Sequence, residues 1–126
     1  MKVLLDTHIL LWWLGAHPSL PPRAREVIAD PDSIVVVSAA TAWEIAIKKA
    51  AGRLEAPDDL ADALAAGGFD TLAITVAHAL AAGELPPHHA DPFDRMLIAQ
   101  ARAEGLQLMS TDRRFSDYEV DLLRLA

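Results

Sequence analysis

The segment Met1–Leu14 has the sequence MKVLLDTHILLWWL, in which one carboxylate separates two apolar runs. Residues 3–5 are typical of a short strand buried on both faces, and residues 9–14 are typical of a buried helix. Asp6 lies at the junction, where an ionised carboxylate is costly unless a cation or several hydrogen-bond donors satisfy it. Asp6 is therefore either the N-cap of the helix, with Thr7 as a second candidate, or part of a ligand site at the carboxyl end of a strand.

The length and composition of the chain predict one folded domain. The 126 residues are close to the commonest domain size, so we expect a single domain over residues 1–126. Apolar residues at 52% and charged residues at 23% are typical of folded proteins rather than disordered ones. No basic leader precedes the first strand, and no apolar run approaches the roughly 18 residues of a membrane span. We therefore expect a cytoplasmic protein with no membrane contact.

Charge and cysteine content restrict the kind of site the chain can build. The chain has no cysteine, so thiolate sites are excluded and a metal would need oxygen or histidine ligands, which favours Mg²⁺ or Mn²⁺. The net charge of −7 argues against a broad basic surface for nucleic acid. Basic residues nevertheless occur in small groups, such as Lys48–Lys49 and Arg113–Arg114, and a local phosphate-binding surface stays possible beside bound cations.

The order of apolar and polar segments predicts an α/β fold. Strands and helices alternate along the chain, which indicates a mainly parallel sheet with helices on both faces. Strands are predicted at residues 3–5, 33–38, 69–74, 106–110 and 120–125, and helices at 9–14, 22–30, 39–51, 57–66, 75–82 and 92–104. Asp91-Pro92 and Gly105 are expected to begin and end the last helix, because they suit the N-cap, first-turn and C-cap positions.

Four acidic residues stand where strands end or helices begin. Asp6 and Asp112 each follow a predicted parallel strand, so both belong to one edge of the sheet. Glu44 lies in the helix after the central strand. Asp94 lies in the first turn of the last helix and shares a face with Ile98, four residues on. We expect these four acids to converge.

Each acid also has a purely structural interpretation. Glu44 could form a capping box with Thr41 or pair with Lys48, while Asp94 could complement the helix dipole and Asp112 could cap a short turn. Four structural roles together would place four like charges near one another without purpose, which repulsion penalises unless cations intervene. The metal interpretation is accordingly favoured.

The arrangement of these motifs resembles a known family across the whole chain. The motifs are Val-Leu-Leu-Asp6-Thr7, Ser38-Ala-Ala-Thr-Ala-Trp43-Glu44-Ile-Ala-Ile-Lys48, Asp91-Pro-Phe-Asp94-Arg-Met-Leu-Ile-Ala-Gln100 and Ser110-Thr-Asp112. They resemble the PIN-domain ribonucleases, and within them the VapC toxins of bacterial toxin–antitoxin pairs. The resemblance implies that the catalytic, metal-binding acids are Asp6, Glu44, Asp94 and Asp112. Asp91 is assigned to the N-cap.

The same resemblance implies the chemistry and the partners. One or two Mg²⁺ or Mn²⁺ ions would activate water for in-line attack on an RNA phosphodiester, leaving a 5′-phosphate and a 3′-hydroxyl. A small VapB-like antitoxin would inhibit the enzyme, and a homodimer is implied. Residues that could contact substrate are the hydroxyls of Thr7, Ser110 and Thr111 and the cations Lys48, Arg95, Arg113 and Arg114.

Several other features are given smaller roles. His88 and His89, in a proline-containing loop, are expected at the surface rather than as ligands, and His8 is expected near the site. Trp12 and Trp13 are expected to contribute to the core and to a partner surface rather than to stack on bases.

The alternative functions are a PIN nuclease of RNA processing without an antitoxin and a non-catalytic, Mg²⁺-binding module of the receiver type. The second lacks the paired acids that such a module has after its first strand.

Overall fold

The computed structural model describes residues 1–125, and Ala126, the last residue of the predicted domain, lies outside them. The strands are β1 (Lys2–Leu5), β2 (Ile34–Ser38), β3 (Asp70–Leu72) and β4 (Gln107–Met109). The helices are α1 (Thr7–Leu14), α2 (Pro22–Ala29), α3 (Ala39–Ala50), α4 (Leu60–Ala66), α5 (Val76–Glu84) and α6 (Pro92–Glu104), and a 3₁₀ helix covers Arg113–Asp117.

The strands form one parallel sheet in the order β3-β2-β1-β4. Leu4 of β1 lies opposite Val36 of β2 on one side and Leu108 of β4 on the other. The backbone N–H of Asp6 donates to the carbonyl of Met109 at 3.0 Å and so joins the ends of β1 and β4. Because all the strands are parallel, the segments that follow β1, β2 and β4 emerge at the same edge, here called the carboxyl edge.

Apolar side chains cover both faces of the sheet, as the continuous apolar strands predict. On one face, Val3 and Leu5 pack in a core with residues of α1, α2, α3 and α4. On the other face, Leu4 packs with residues of α6 and with Phe115 and Tyr118 from the segment after β4. The predicted α/β fold with helices on both faces is therefore confirmed.

The predicted elements agree with the structure to within two residues at each end, with two exceptions. α4 begins at Leu60 rather than at residue 57, because the carboxylate of Asp59 accepts the N–H of Asp62 at 3.1 Å and caps the helix there. The predicted fifth strand, 120–125, is wrong. The N–H of Leu108 donates to the carbonyl of Asp121 at 2.8 Å, and the carbonyl of Leu108 accepts from the N–H of Leu123 at 3.0 Å. These two bonds form a single bridge between Leu108 and Leu122, because β4 is too short to pair with a whole strand.

Among residues 1–125, no helix is both long and apolar enough to cross a membrane.

Candidate metal centre at the carboxyl edge

Asp6 caps α1 and also lies where the ends of β1 and β4 meet. Its Oδ1 accepts the N–H of Ile9 at 2.9 Å, which makes Asp6 the N-cap of α1. Its Oδ2 accepts the hydroxyl of Ser110, which follows β4, so the same carboxylate joins two strand ends. Burial raises the pKa of Asp6, and the charge of Asp112 raises it further, while the donors Ser110 and Ile9 and the charge of His8 oppose the rise. The hydrogen bonds therefore offset only part of the desolvation cost of the ionised carboxylate, and a nearby cation would stabilise it further.

Asp94 reaches the same edge from the first turn of α6. The predicted cap is confirmed, because Oδ1 of Asp91 accepts the N–H groups of Phe93 at 2.8 Å and Asp94 at 3.1 Å. Oδ2 of Asp94 is 2.8 Å from Nε2 of His89. Burial and the charge of Asp91 raise the pKa of Asp94 to about 6, with a smaller contribution from Asp6, against the opposing effect of His89.

Asp112 differs from the other two aspartates because a cation already neutralises it. Its Oδ1 accepts the N–H of Arg114 at 2.9 Å and caps the 3₁₀ helix, while its Oδ2 lies 2.7 Å from Nη2 of Arg114. Arg114 lowers the pKa of Asp112. The N–H of Asp112 donates to Oγ of Ser110 at 3.0 Å, so Ser110 connects Asp112 to Asp6.

The tightest group of possible ligands contains two predicted acids and one histidine. One ligand atom from each of His89, Asp94 and Asp112 lies within 4.8 Å of the other two. The charges of Asp6 and Asp112 act on each other, as do those of Asp6 and Asp94. Buried oxygens whose mutual repulsion is only partly offset are the donor set that hard divalent cations prefer. The residues therefore fit a divalent metal ion.

Glu44 is buried and lies outside the tightest group of possible ligands, with partners of its own. Its Oε1 accepts the hydroxyl of Thr7 at 2.5 Å, and its Oε2 lies 2.5 Å from Nζ of Lys48. The pairing with Lys48 is the one the spacing predicts, whereas Thr41 is not a cap, because Ser38 caps α3. Thr7 directly follows Asp6 in the sequence. Glu44 is therefore connected to Asp6 through its hydrogen bond with Thr7.

The predicted substrate residues fall into three sets. Thr7, Ser110, Lys48 and Arg114 contact the acids. Thr111 and Arg113 are exposed. Arg95 is different, since its guanidinium donates to backbone carbonyls, including Ala82 at 2.9 Å and Leu85 at 2.8 Å. Its contacts hold the end of α5 and the loop after it against α6, which favours a structural role for Arg95.

The expectation that His89 lies at the surface is wrong. His88 is exposed, but His89 is only 5% exposed and packs against Phe115, with ring centroids 6.2 Å apart. Its burial depends on Phe115 and Tyr118, more than twenty positions away, so no local signal in the sequence indicated it. His8 is exposed and close enough to lower the pKa of Asp6. Trp12 and Trp13 are half-buried against the core, as expected.

Residues 3–121 match the family model described as PIN domain. The chain belongs to the PIN-domain family. It is 32% identical over 120 residues to Ribonuclease VapC22 of Mycobacterium tuberculosis, and this alignment covers 92% of the chain and 91% of the relative. The sequence resemblance to this family is thereby confirmed, and the receiver-type alternative is excluded.

Solved structures give the same fold. VapBC2 of Rickettsia felis, bound to a DNA fragment from its promoter, superposes with a TM-score of 0.72 at 16% identity and 98% coverage of both chains. VapC20 of Mycobacterium tuberculosis, a toxin that cleaves the sarcin–ricin loop, superposes with a TM-score of 0.67 at 17% identity, covering 97% of this chain and 98% of that one. At these identities the likeness establishes the PIN fold.

Proposed function

We propose that this protein is a metal-dependent endoribonuclease and the toxin of a toxin–antitoxin pair. The observation that carries the proposal is the proximity of Asp94 to Asp112, with Asp6 connected to Asp112 through Ser110, at the carboxyl edge of a PIN domain whose curated relative is a ribonuclease. The relative's name supports the reaction, and the solved complexes with this fold support the biological role. The cytoplasm is the expected location, since RNA is the proposed substrate.

The metal would be Mg²⁺ or Mn²⁺, held by Asp6, Asp94 and Asp112 with Glu44 alongside. When bound, such an ion lowers the pKa of water and stabilises charge on the phosphodiester. The protein contributes rigidity, because the Ile9 N–H and the Ser110 hydroxyl hold the carboxylate of Asp6 in place. Ligands held in place in advance lose little freedom when the metal and substrate bind.

Positive charge next to the acids provides contacts for the RNA backbone. Lys48 pairs with Glu44 and Arg114 pairs with Asp112, so both cations lie next to acids of the site, where they would contact a phosphate of bound RNA. Arg113, Thr7, Ser110 and Thr111 complete the proposed substrate contacts. This distribution explains how a chain with a net charge of −7 can still bind RNA locally.

An apolar groove supports the proposal of a VapB-like antitoxin. The groove lies between α3 and α4 and has a volume of about 980 Å³. Its walls include Ala42, Ala46, Ala61 and Ala65, whose small side chains allow an amphipathic helix to approach closely.

The homodimer is likewise a proposal. It is supported by large apolar side chains exposed on α3 and α5, namely Trp43, Ile47, Val76 and Leu80.

Cleavage of structured RNA by the purified protein tests the reaction. Activity should require Mg²⁺ or Mn²⁺, and Asp6→Asn should reduce it on the order of a thousandfold, as loss of a metal ligand costs several kcal/mol of transition-state stabilisation. Asp32→Asn is the matched control, since Asp32 is exposed and distant in sequence from the four acids. Cleavage that survives complete chelation would refute the proposal.

The toxin role is tested separately from the reaction. Mass spectrometry of the untagged protein purified at low salt should identify a small partner with an arginine-bearing tail, and adding that partner should suppress cleavage. An active nuclease with no inhibitory partner would instead support the alternative of an RNA-processing PIN nuclease.

A further inference from the structure

His89 is held from several sides at the edge of the carboxylate cluster. Its side chain is 3% exposed, and its backbone N–H donates to the hydroxyl of Tyr118 at 2.9 Å. The Tyr118 hydroxyl in turn donates to the carbonyl of Pro86 at 2.7 Å, and the ring of Phe115 packs edge-on against the imidazole. An imidazole fixed in this way presents one nitrogen to Asp94 in a single orientation.

The hydrogen bonds of His89 define which ring nitrogen carries the proton. Nδ1 lies 3.3 Å from the backbone N–H of Asp91, which can only donate, so Nδ1 is the acceptor. In the neutral ring the proton is then on Nε2, which faces Oδ2 of Asp94 at 2.8 Å and donates to it. Direct coordination of a metal by Nε2 would require the proton on Nδ1, where it would oppose the Asp91 N–H. The backbone therefore disfavours His89 as a ligand, although its position beside Asp94 and Asp112 resembles one.

We propose that His89 is a positioning residue of the metal centre: its Nε2–H holds Oδ2 of Asp94 and leaves Oδ1 of that carboxylate to bind the metal. The inference rests on the proposed function and adds a specific element to it. Carboxylates that bind metals are themselves held in orientation by hydrogen bonds from neighbouring groups. Asp91 caps α6 without help from the His89 side chain, so the imidazole is not needed to start the helix.

Metal affinity of the purified protein distinguishes this role from a purely structural one. Calorimetric titration with Mn²⁺ should show weaker binding in His89→Ala, by roughly 10- to 100-fold, the usual effect of losing such a partner. His89→Gln should recover most of the affinity, because its amide N–H can also donate to Asp94. His78→Gln is the matched control, since His78 is equally buried but contacts Glu104 and Gln100 instead.

A spectroscopic measurement on the unmodified protein removes dependence on the variants' stability. Electron spin-echo spectroscopy of the Mn²⁺ complex detects nitrogen bound directly to the ion, and we expect no such coupling from imidazole. A histidine nitrogen coupling that is lost in His89→Gln would overturn the positioning role and make His89 a ligand. Unchanged Mn²⁺ affinity in a folded His89→Ala would overturn the inference alone. A parent protein that neither binds Mn²⁺ nor cleaves RNA would overturn both the inference and the proposed function.

Discussion

Asp94→Asn removes one charge from the carboxyl edge and alters little else. The asparagine side-chain oxygen can still accept the Nε2–H of His89, and Asp91 still caps α6. The substitution therefore isolates the cost of an ionised carboxylate beside Asp6 and Asp91. Because burial and like charges raise the pKa of Asp94, we expect the variant to be more stable than the parent in the absence of metal.

The pKa of Asp94 sets the size of this effect. A rise from the ordinary value of 3.8 to about 6 means that the ionised carboxylate destabilises the folded state at neutral pH by roughly 3 kcal/mol relative to the unfolded chain. The side chain keeps 17% of its exposure, so solvent reduces that penalty. The variant also loses the favourable interaction of a negative charge with the N-terminus of α6, about 0.3–1 kcal/mol. We expect a net gain of about 1 kcal/mol in the free energy of unfolding.

Chemical denaturation at pH 7.5, in chelator and in millimolar Mn²⁺, provides the assay. The variant should be more stable than the parent in chelator and should gain less from Mn²⁺. Asp112→Asn is the matched control, because Arg114 lowers the pKa of Asp112 and removal of that charge should leave stability unchanged or slightly lower. A destabilised Asp94→Asn whose response to Mn²⁺ equals that of the parent would refute the reasoning and leave Asp94 with a structural role.

Three further predictions test the surrounding contacts. In chelator, the stability advantage of Asp94→Asn should be complete well above pH 6 and shrink as the pH falls from 6 toward 4. In this range the folded parent takes up a proton before the unfolded parent does, which relieves its penalty. An advantage independent of pH in denaturation experiments would contradict the pKa. Asp91→Ser should keep the helix cap and most RNA cleavage, whereas Asp91→Ala should lower the unfolding free energy by about 1 kcal/mol, and equal stabilities would argue against the cap. Thr7→Val should destabilise the protein by about 1–3 kcal/mol in urea denaturation, because Oε1 of the buried Glu44 loses its donor; an unchanged midpoint would show that Lys48 alone satisfies Glu44.

The parts of the fold that depend on neighbouring residues could be predicted from the sequence. The limits of α6 follow from Asp91, Pro92 and Gly105, whose chemistry determines where a helix starts and stops. The start of α4 could not be fixed in the same way, since consecutive aspartates compete for the cap and Asp59 is the one that takes it. The failed fifth strand depended on the length of β4, which limits the pairing available to residues 120–125.

In the candidate site as well, the features set by the local sequence could be predicted and those set by distant contacts could not. The positions of Asp6 and Asp112 at one edge follow from parallel strands, which the apolar runs indicate. The environment of His89 depends on Phe115 and Tyr118, more than twenty positions away, so a local pattern could not reveal that it is buried. The structural contacts of Arg95 could not be predicted for a similar reason, because most of its partners are backbone carbonyls at the end of α5 and in the loop after it, whose positions depend on the fold.

The central claim is that the carboxyl edge of this PIN domain is a divalent metal centre. The most direct test is anomalous diffraction from a crystal of the unmodified protein soaked in Mn²⁺. We predict an anomalous peak at about 2.0–2.3 Å from carboxylate oxygens of Asp94 and of Asp6 or Asp112, with the His89 imidazole outside coordination distance. A fully occupied Mn²⁺ peak elsewhere, or none at this edge at saturating metal, would contradict the account.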